Sequence, residues 1–257
     1  MKPAIERTLW FVAPFLVIGL AWEAIARFGP FPPKLFPGVE AVAAALGRLV
    51  ASGVLFEHIG GTLVRLVVGF AIGAVVGLVV GVLMGRYRAA EDLCLPLVSI
   101  GAPIPGLAYA PLFILWFGLG DRSAVLLVAF ATTFPVVTNV WTGVKTVRPV
   151  WIRAAEAMGL SDRQLFRKVI LPAALPLSLT GLRLGLARAW RVLVAAEMLT
   201  AVPAGLGWLI FGAREFLNTD VMLAGIAVIG LIGLALEKLV FERIERFTVV
   251  RWGMVTA

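Results

Sequence analysis

Histidine, cysteine and charged side chains are scarce in this sequence. The 257 residues include one histidine, His58, and one cysteine, Cys94. Metal sites and catalytic constellations need several such groups together, so we expect neither here, and a membrane-embedded enzyme is nearly excluded. One cysteine forms no internal disulfide and does not indicate the redox compartment. Charged residues make up only 15% of the chain, against about 25% in soluble proteins, so a water-soluble exterior is excluded.

Apolar residues take the place of the missing charge. They make up 61% of the chain, and the mean hydropathy is +0.99. Intrinsic disorder is excluded, because low hydrophobicity defines that class. A helix crosses a bilayer with about 20 residues, so the length allows five to seven crossings. The composition therefore predicts an all-α, multi-pass integral membrane protein.

Long apolar segments predict about six transmembrane helices. The first, residues 8–28, lacks a small-residue cleavage site and is interpreted as an anchor rather than a cleaved signal peptide. A periplasmic link over residues 29–61 follows, which begins with a proline-rich stretch and continues with a moderately amphipathic segment from Val39 to Leu55. The remaining spans lie within residues 62–250, at about 62–85, 93–117, 123–144, 173–201 and 221–240.

Basic residues are distributed unevenly about these spans. The chain has 23 Lys and Arg against 15 Asp and Glu, and in a membrane protein the usual cause is retention of positive charge in the cytoplasm. A cytoplasmic N-terminus places most basic residues inside, with Lys2, Arg7, Arg243, Arg246 and Arg251 among them. The smaller outer set is Arg27, Lys34, Arg48, Arg65, Arg122 and Arg214. Both termini are therefore predicted to be cytoplasmic, and no nucleic-acid partner is expected.

Glycine and proline mark two of the spans. The second span has a glycine at every fourth position, which favours close packing against another helix: Gly69, Gly73, Gly77, Gly81 and Gly85. The third span is interrupted by four prolines, namely Pro96, Pro103, Pro105 and Pro111. Irregular backbone at membrane depth occurs only where protein or a water-filled cavity surrounds it. We therefore predict that this segment lines a path, with Pro103 and Pro105 beside it.

The inner loop over residues 145–172 predicts two short helices. Gly159 suits a left-handed helix end after residues 151–158. Ser161 stands three residues before Gln164, the spacing of a capping box that begins a new helix. Pro172 is expected to end that second helix, whose apolar face consists of Leu165, Phe166, Val169 and Ile170. Solvated loops rarely keep an apolar face beside paired caps, so we expect a partner to dock here.

The residues of this loop resemble a known signature. Arg153-Ala154-Ala155, then Gly159, Val169 and Leu171-Pro172 resemble the EAA loop of ATP-binding cassette (ABC) importer permeases, with Arg153 in place of Glu and Val169 in place of Ile. That loop has the order Glu-Ala-Ala, three residues, Gly, nine residues, Ile, one residue, Leu-Pro. Residues 110–121, 194–210 and 213–226 are similar to the nitrate, sulfonate and taurine branch of these permeases.

The resemblance implies a type I ABC importer permease fold and a single permease domain over residues 1–257, in the bacterial inner membrane. It further implies two permease copies, two cytoplasmic ATPase subunits that bind ATP and Mg, and a periplasmic or lipid-anchored binding protein that delivers a small anionic solute. The chain contains no P-loop lysine motif and so is expected to be neither an enzyme nor a cofactor carrier. The residues expected to couple to the ATPase are Arg153, Ala154, Ala155, Glu156, Gly159, Leu160, Ser161, Leu165, Phe166 and Pro172.

Four charged residues lie within the fifth span: Arg183, Arg188, Arg191 and Glu197. Intramembrane charges usually face a bundle interior or a watery path. In one interpretation Arg183 lies near the cytoplasmic end, and Arg188 and Arg191 pair with Glu197 or with another helix. In the other, Arg188 or Arg191 guides an anion through the path. The candidate path residues are therefore Arg188, Arg191, Glu197, Pro103 and Pro105.

Three alternative functions differ in what they require of the sequence. A stand-alone secondary transporter or channel would need inverted repeats or paired broken helices, and the proline pattern of the third span is not repeated. A membrane enzyme lacks the residues it needs, and a purely structural subunit is compatible with the composition. The sequence names neither the solute nor the stoichiometry of the permease dimer.

Overall fold

The computed structural model describes residues 4–241, with side chains for residues 13–239, as a set of helices without a strand in that range. The helices are α1 (Ala4–Phe28), α2 (Val39–Ala51), α3 (Val54–Arg86), α4 (Arg88–Gly101), a 3₁₀ turn (Gly106–Tyr109), α5 (Ala110–Phe117), α6 (Asp121–Lys145), α7 (Pro149–Ala157), α8 (Asp162–Leu165), a π-helical turn (Phe166–Ile170), α9 (Leu171–Leu199), α10 (Leu206–Glu215), α11 (Thr219–Ala235) and a second π-helical turn (Leu236–Phe241).

Four of these helical segments are long and apolar enough to cross a membrane: Val54–Arg86, Asp121–Lys145, Asp162–Leu199 and Thr219–Leu239. A fifth crossing results if α4 and Gly106–Phe117, which meet at 95°, are counted together. The predicted six crossings and the side of the termini stay predictions. Lys2, Arg243, Arg246, Arg251, the side chain of Arg7 and the end of the predicted 62–250 core lie outside the described residues.

The centre of the bundle is formed by α3, α6 and α9. Leu66, Val128 and Leu193, one from each helix, are at most 1% exposed and belong to one apolar cluster. Helix association in lipid depends on such packing, because the lipid itself is apolar. Where these three helices meet, the middle of the bundle is therefore filled with side chains.

The glycine strip of α3 lies against α6. A Cβ atom on Gly69 would come within 2.8 Å of the Val128 side chain, and one on Gly77 within 2.6 Å of Val136 Cβ. Along the same strip Gly73, Gly81 and Gly85 face Thr132, Val140 and Val144. The two backbones therefore approach more closely than any residue with a side chain would allow.

Two predicted boundaries differ from the structure. Helix α3 begins at Val54, eight residues before the predicted span, because Gly53 at φ +77° provides the turn from α2. Pro172 does not end a helix, since Asp162–Leu199 is one continuous helix. Its ring would clash with the carbonyl four residues earlier in a regular α-helix, and the wide π turn Phe166–Ile170 immediately before it accommodates the ring.

Candidate functional site

The helix pair α7–α8 lies at one end of the bundle, called here the loop end. Gly159 has φ +77°, and its N–H donates to the Glu156 carbonyl while Leu160 N–H donates to the Ala155 carbonyl. These bonds satisfy carbonyls that the end of α7 leaves free. Ser161 and Gln164 form the predicted capping box at the start of α8. Local side-chain and backbone chemistry therefore defines this corner.

The signature residues of α7 divide between a buried and an exposed side. Ala155 is 1% exposed and packs inside the chain, whereas Arg153, Ala154 and Glu156 are exposed. Apolar side chains near them are also open, at 51% exposure for Val150, 47% for Trp151 and 72% for Met158. Exposed apolar groups rimmed by polar ones mark interaction sites. This outward surface is called the α7 face.

The predicted apolar face of the second helix is turned partly toward its own chain. Leu165 and Phe166 are half-buried, and the Arg86 guanidinium lies 4.7 Å from the centre of the Phe166 ring. The π turn begins at Phe166 and changes the direction of the side chains that follow. The open apolar surface of this helix pair therefore belongs mainly to α7.

The broken segment between α4 and α5 lies near the middle of the bundle. Pro103 and Pro105 are both exposed there, and Gly101 and Gly106 on either side are buried against Phe134 and Ala131 of α6. Proline has no N–H, so the backbone carbonyls of such a segment lack helical donors. A donor from another helix must satisfy them.

Arg188 of α9 supplies that donor. Its Nη2 donates to the carbonyls of Ala102 and Ile104, at 3.0 and 3.1 Å. Arg188 is half-buried, while Arg191 is exposed and donates from Nε to the Ala187 carbonyl of its own helix at 2.9 Å. The structure thus brings Arg188 to the segment that contains Pro103 and Pro105, whereas Arg191 lines a cavity together with Arg183 and Glu237.

Arg183 and Glu197 are each engaged elsewhere. Arg183 pairs with Glu237 after α11, with Nε 2.8 Å from Oε1. Glu197 is 0% exposed and lies at the opposite end of the bundle from α7, called here the far end. It forms an ion pair with Arg65 rather than with Arg188 or Arg191. We expected Glu197 beside the path; the structure places it inside the protein.

Arg65 was predicted to belong to the outer basic set, and the structure shows that it is a buried residue of α3. It is 5% exposed, and it donates from Nη1 to Glu197 at 2.8 Å and from Nε to Asp121 at 2.7 Å. The predicted span began at residue 62 rather than 54, so it placed Arg65 near the end of the helix. With the correct start, Arg65 lies three turns inside an apolar helix, which indicates a buried partner.

Glu197 also fixes the start of α10. Its Oε2 accepts bonds from Gly207 N–H at 2.9 Å and from the Thr62 hydroxyl at 3.0 Å, and Leu206 N–H donates to that hydroxyl. A carboxylate is stabilised at a helix N-terminus because the free N–H groups carry partial positive charge. The sequence gives no signal for these contacts, because Thr62 and Arg65 are more than 130 positions away from Glu197 along the chain.

Known proteins give a consistent comparison. The family described as "Binding-protein-dependent transport system inner membrane component" matches residues 73–246. The chain is 41% identical to the taurine transport system permease protein TauC of Escherichia coli, over 82% of this chain and 75% of that protein. It is 37% identical to the putative aliphatic sulfonates transport permease protein SsuC of the same organism, over 98% of this chain and 96% of that protein.

Solved structures show the same fold. The MetNI methionine ABC transporter in an inward-facing conformation has a chain with a TM-score of 0.65 and 24% identity, covering 77% of this chain and 97% of that one. An amino acid ABC transporter has a TM-score of 0.62 at 19% identity, covering 78% and 97%. The predicted ABC importer permease fold is confirmed.

Proposed function

The chain belongs to the family of binding-protein-dependent inner membrane transport components, and from that premise we propose that its solute is a small sulfonate anion. It is a permease subunit of an ABC importer and a multi-pass protein of the bacterial inner membrane. The observation that carries the choice of solute is the 37–41% identity to permeases named for taurine and aliphatic sulfonates. Taurine and alkanesulfonates share one anionic sulfonate group, so that group is the feature to be recognised.

ATP hydrolysis is supplied in trans in this proposal. The α7 face is the surface on which a cytoplasmic ATPase subunit docks, and that subunit binds ATP and Mg. Support comes from Met158 and Trp151, which are exposed although apolar, and from the rigid corner at Gly159. A movement of the ATPase subunit would be transmitted through this corner to α9, because α8 and α9 are one continuous helix. The loop end is then cytoplasmic.

A second copy of the chain completes the path. The interior of one bundle is filled by Leu66, Val128 and Leu193, so a solute has to pass beside the bundle rather than through it. A homodimer encloses that space between two copies, and a periplasmic or lipid-anchored binding protein delivers the solute at the far end. Two ATPase subunits then match the two α7 faces.

The test of this proposal is transport by a reconstituted complex. The permease is co-expressed with an ABC ATPase and binding protein encoded beside it, purified, and placed in liposomes. We expect ATP-dependent uptake of ethanesulfonate and co-purification of the ATPase. Uptake without the ATPase would instead support a stand-alone transporter, and uptake of neutral amino acids but no sulfonate would contradict the proposed solute.

Coupling through the corner is tested by a matched pair of variants. Gly159 and Gly53 both have φ +77° with open space where a Cβ would lie, so aspartate strains both positions equally. Gly53 lies at the far end, between α2 and α3. We expect Gly159→Asp to retain insertion but lose ATP-driven uptake, and Gly53→Asp to keep it. Equal uptake by the two variants would exclude a coupling role for Gly159.

A further inference from the structure

Two arginines lie on the open side of α9 near the middle of the bundle. Gly185 of α9 packs on Thr132 and Val136, which are near the centre of α6, and Arg188 follows one helical turn later. Arg191 is exposed, as is Leu184 on the same side of the helix. An arginine facing hydrocarbon at mid-depth costs about 2.5–3.5 kcal/mol or more. This side of α9 therefore faces a polar space rather than lipid.

The presence of a counter-ion distinguishes Arg65 and Arg183 from Arg188 and Arg191. Arg65 pairs with Glu197 and Asp121, and Arg183 pairs with Glu237. Within residues 13–239, neither Arg188 nor Arg191 has a carboxylate at ion-pair distance. Their two positive charges are thus left without a negative partner from the described part of the chain.

Arg188 is held in place and still has hydrogen-bond donors to offer. A guanidinium has five N–H groups. The Ala102 and Ile104 carbonyls take the two on Nη2, and they are its only hydrogen-bond acceptors among the described residues. The N–H of Nε and both of Nη1 remain. Because the broken segment fixes the guanidinium, no further ordering is needed when an anion arrives.

Arg191 adds a second charge about one helical turn farther along α9, and within the described residues it has no hydrogen bond to another helix. It follows Arg188 by three positions, so the two share a helix face. Its one hydrogen bond in the described structure goes from Nε to the Ala187 carbonyl of its own turn, and both terminal nitrogens remain free to donate. Planar guanidinium groups with several donors match oxyanions that carry two or more acceptor oxygens.

We propose that Arg188 and Arg191 form an oxyanion site on the wall of the translocation path, which takes the sulfonate group of the solute. Arg188 also connects the broken segment between α4 and α5 to α9 through its two hydrogen bonds. The same side chain therefore binds the anion and holds the irregular backbone in place. This inference rests on the proposed function, in which the solute carries a sulfonate.

Direct binding to the purified permease–ATPase complex, without the binding protein, is the test. The probes are ethanesulfonate and ethyl methyl sulfone, a neutral compound of similar shape, and affinity is measured by isothermal titration calorimetry. We expect the wild type to bind ethanesulfonate and not the sulfone. Arg191→Gln removes no contact between helices, and loss of one charge-assisted hydrogen bond weakens binding about tenfold.

Arg188→Gln and Arg188→Lys separate the two tasks of that residue. Glutamine lacks the positive charge, so we expect no measurable ethanesulfonate binding. It also loses the hydrogen bonds that hold the segment between α4 and α5, so we expect faster maleimide labelling of Cys94, the single cysteine, which lies in α4. Lysine keeps the charge and is expected to bind more tightly than glutamine does. Arg122→Gln, an exposed arginine at the far end, has the same change of net charge and is expected to bind as wild type.

Two results would overturn the inference while leaving the proposed function intact. One is a wild-type complex that imports ethanesulfonate but does not bind it in the absence of the binding protein. The other is binding within twofold of wild type in both Arg188→Gln and Arg191→Gln. A wild type that imports no sulfonate at all, despite active ATP hydrolysis, would instead refute the proposed function.

Discussion

At the far end of the bundle, Glu197 is fully buried and accepts hydrogen bonds from Arg65, Thr62 and Gly207. At the loop end, Met158 is 72% exposed although it is apolar. The first region satisfies its groups within one chain, and no buried side-chain nitrogen or oxygen among the described residues lacks a hydrogen-bond partner. The second region leaves apolar surface exposed, and we propose that an ATPase subunit docks there. Changes at the far end should therefore affect stability, and changes at the loop end should affect association.

The largest loss of stability is expected from Arg65→Met. It leaves the Glu197 carboxylate buried without its cation, and breaking a buried pair in this way costs about 3–5 kcal/mol. The free energy of unfolding in mixed micelles measures this. The double variant Arg65→Met/Glu197→Gln should recover most of the loss, because no unpaired buried carboxylate then remains and the glutamine oxygen still accepts a hydrogen bond from Gly207 N–H. Arg48→Met, in the exposed pair with Asp220, should cost about 1 kcal/mol or less.

A smaller loss is expected where α3 meets α6. In Gly77→Ala the new Cβ would lie 2.6 Å from Val136 Cβ, and overpacking of this kind costs about 1–3 kcal/mol. Gly60→Ala is the control on the same helix, because nothing lies within 4 Å of its Cβ position. Unfolding in the same micelles should show Gly77→Ala below wild type and Gly60→Ala equal to or above it. Equal stability of both variants would contradict the close packing.

Arg86→Gln should have a still smaller effect. The guanidinium over the Phe166 ring contributes about 0.5–1 kcal/mol at an exposed site, and glutamine removes it. Arg88→Gln is the matched control, because its pair with Asp92 is long, at 3.9 Å, and highly exposed. If the two variants unfold at the same denaturant concentration, the contact of Arg86 with the Phe166 ring adds no stability. Phe166 would then be available to contact a partner, and the open apolar surface would not belong mainly to α7.

The smallest change in stability is expected from Met158→Ser. The side chain is so exposed that the free energy of unfolding should stay within about 0.5 kcal/mol of wild type. Binding of the ATPase subunit should nevertheless weaken, as measured by the amount that co-purifies. Leu119→Ser is the control at the far end, where a leucine is 66% exposed. Unchanged ATPase binding in Met158→Ser would contradict the proposal that the exposed surface at the loop end binds the ATPase subunit.

Local features of the loop were predictable from the sequence. The capping box of Ser161 and Gln164 and the left-handed turn at Gly159 depend on residues a few positions apart. Pro172 was misjudged, because the π turn that accommodates its ring leaves no signature in the residue pattern. The burial of Arg65 was not predicted, because its partner Glu197 is 132 positions away. A short-range pattern contains no information about such a contact.

By itself the sequence determined the membrane environment, the helical class, the family signature and the shape of the corner at Gly159. These follow from composition and from interactions within one or two helical turns, which neighbouring residues specify. Tertiary structure decided which charges are satisfied: Arg65 and Arg183 received carboxylates, whereas Arg188 received two backbone carbonyls and Arg191 one from its own helix. The physical reason is that the free energy of an intramembrane charge depends on its nearest partners, and packing of distant helices selects them.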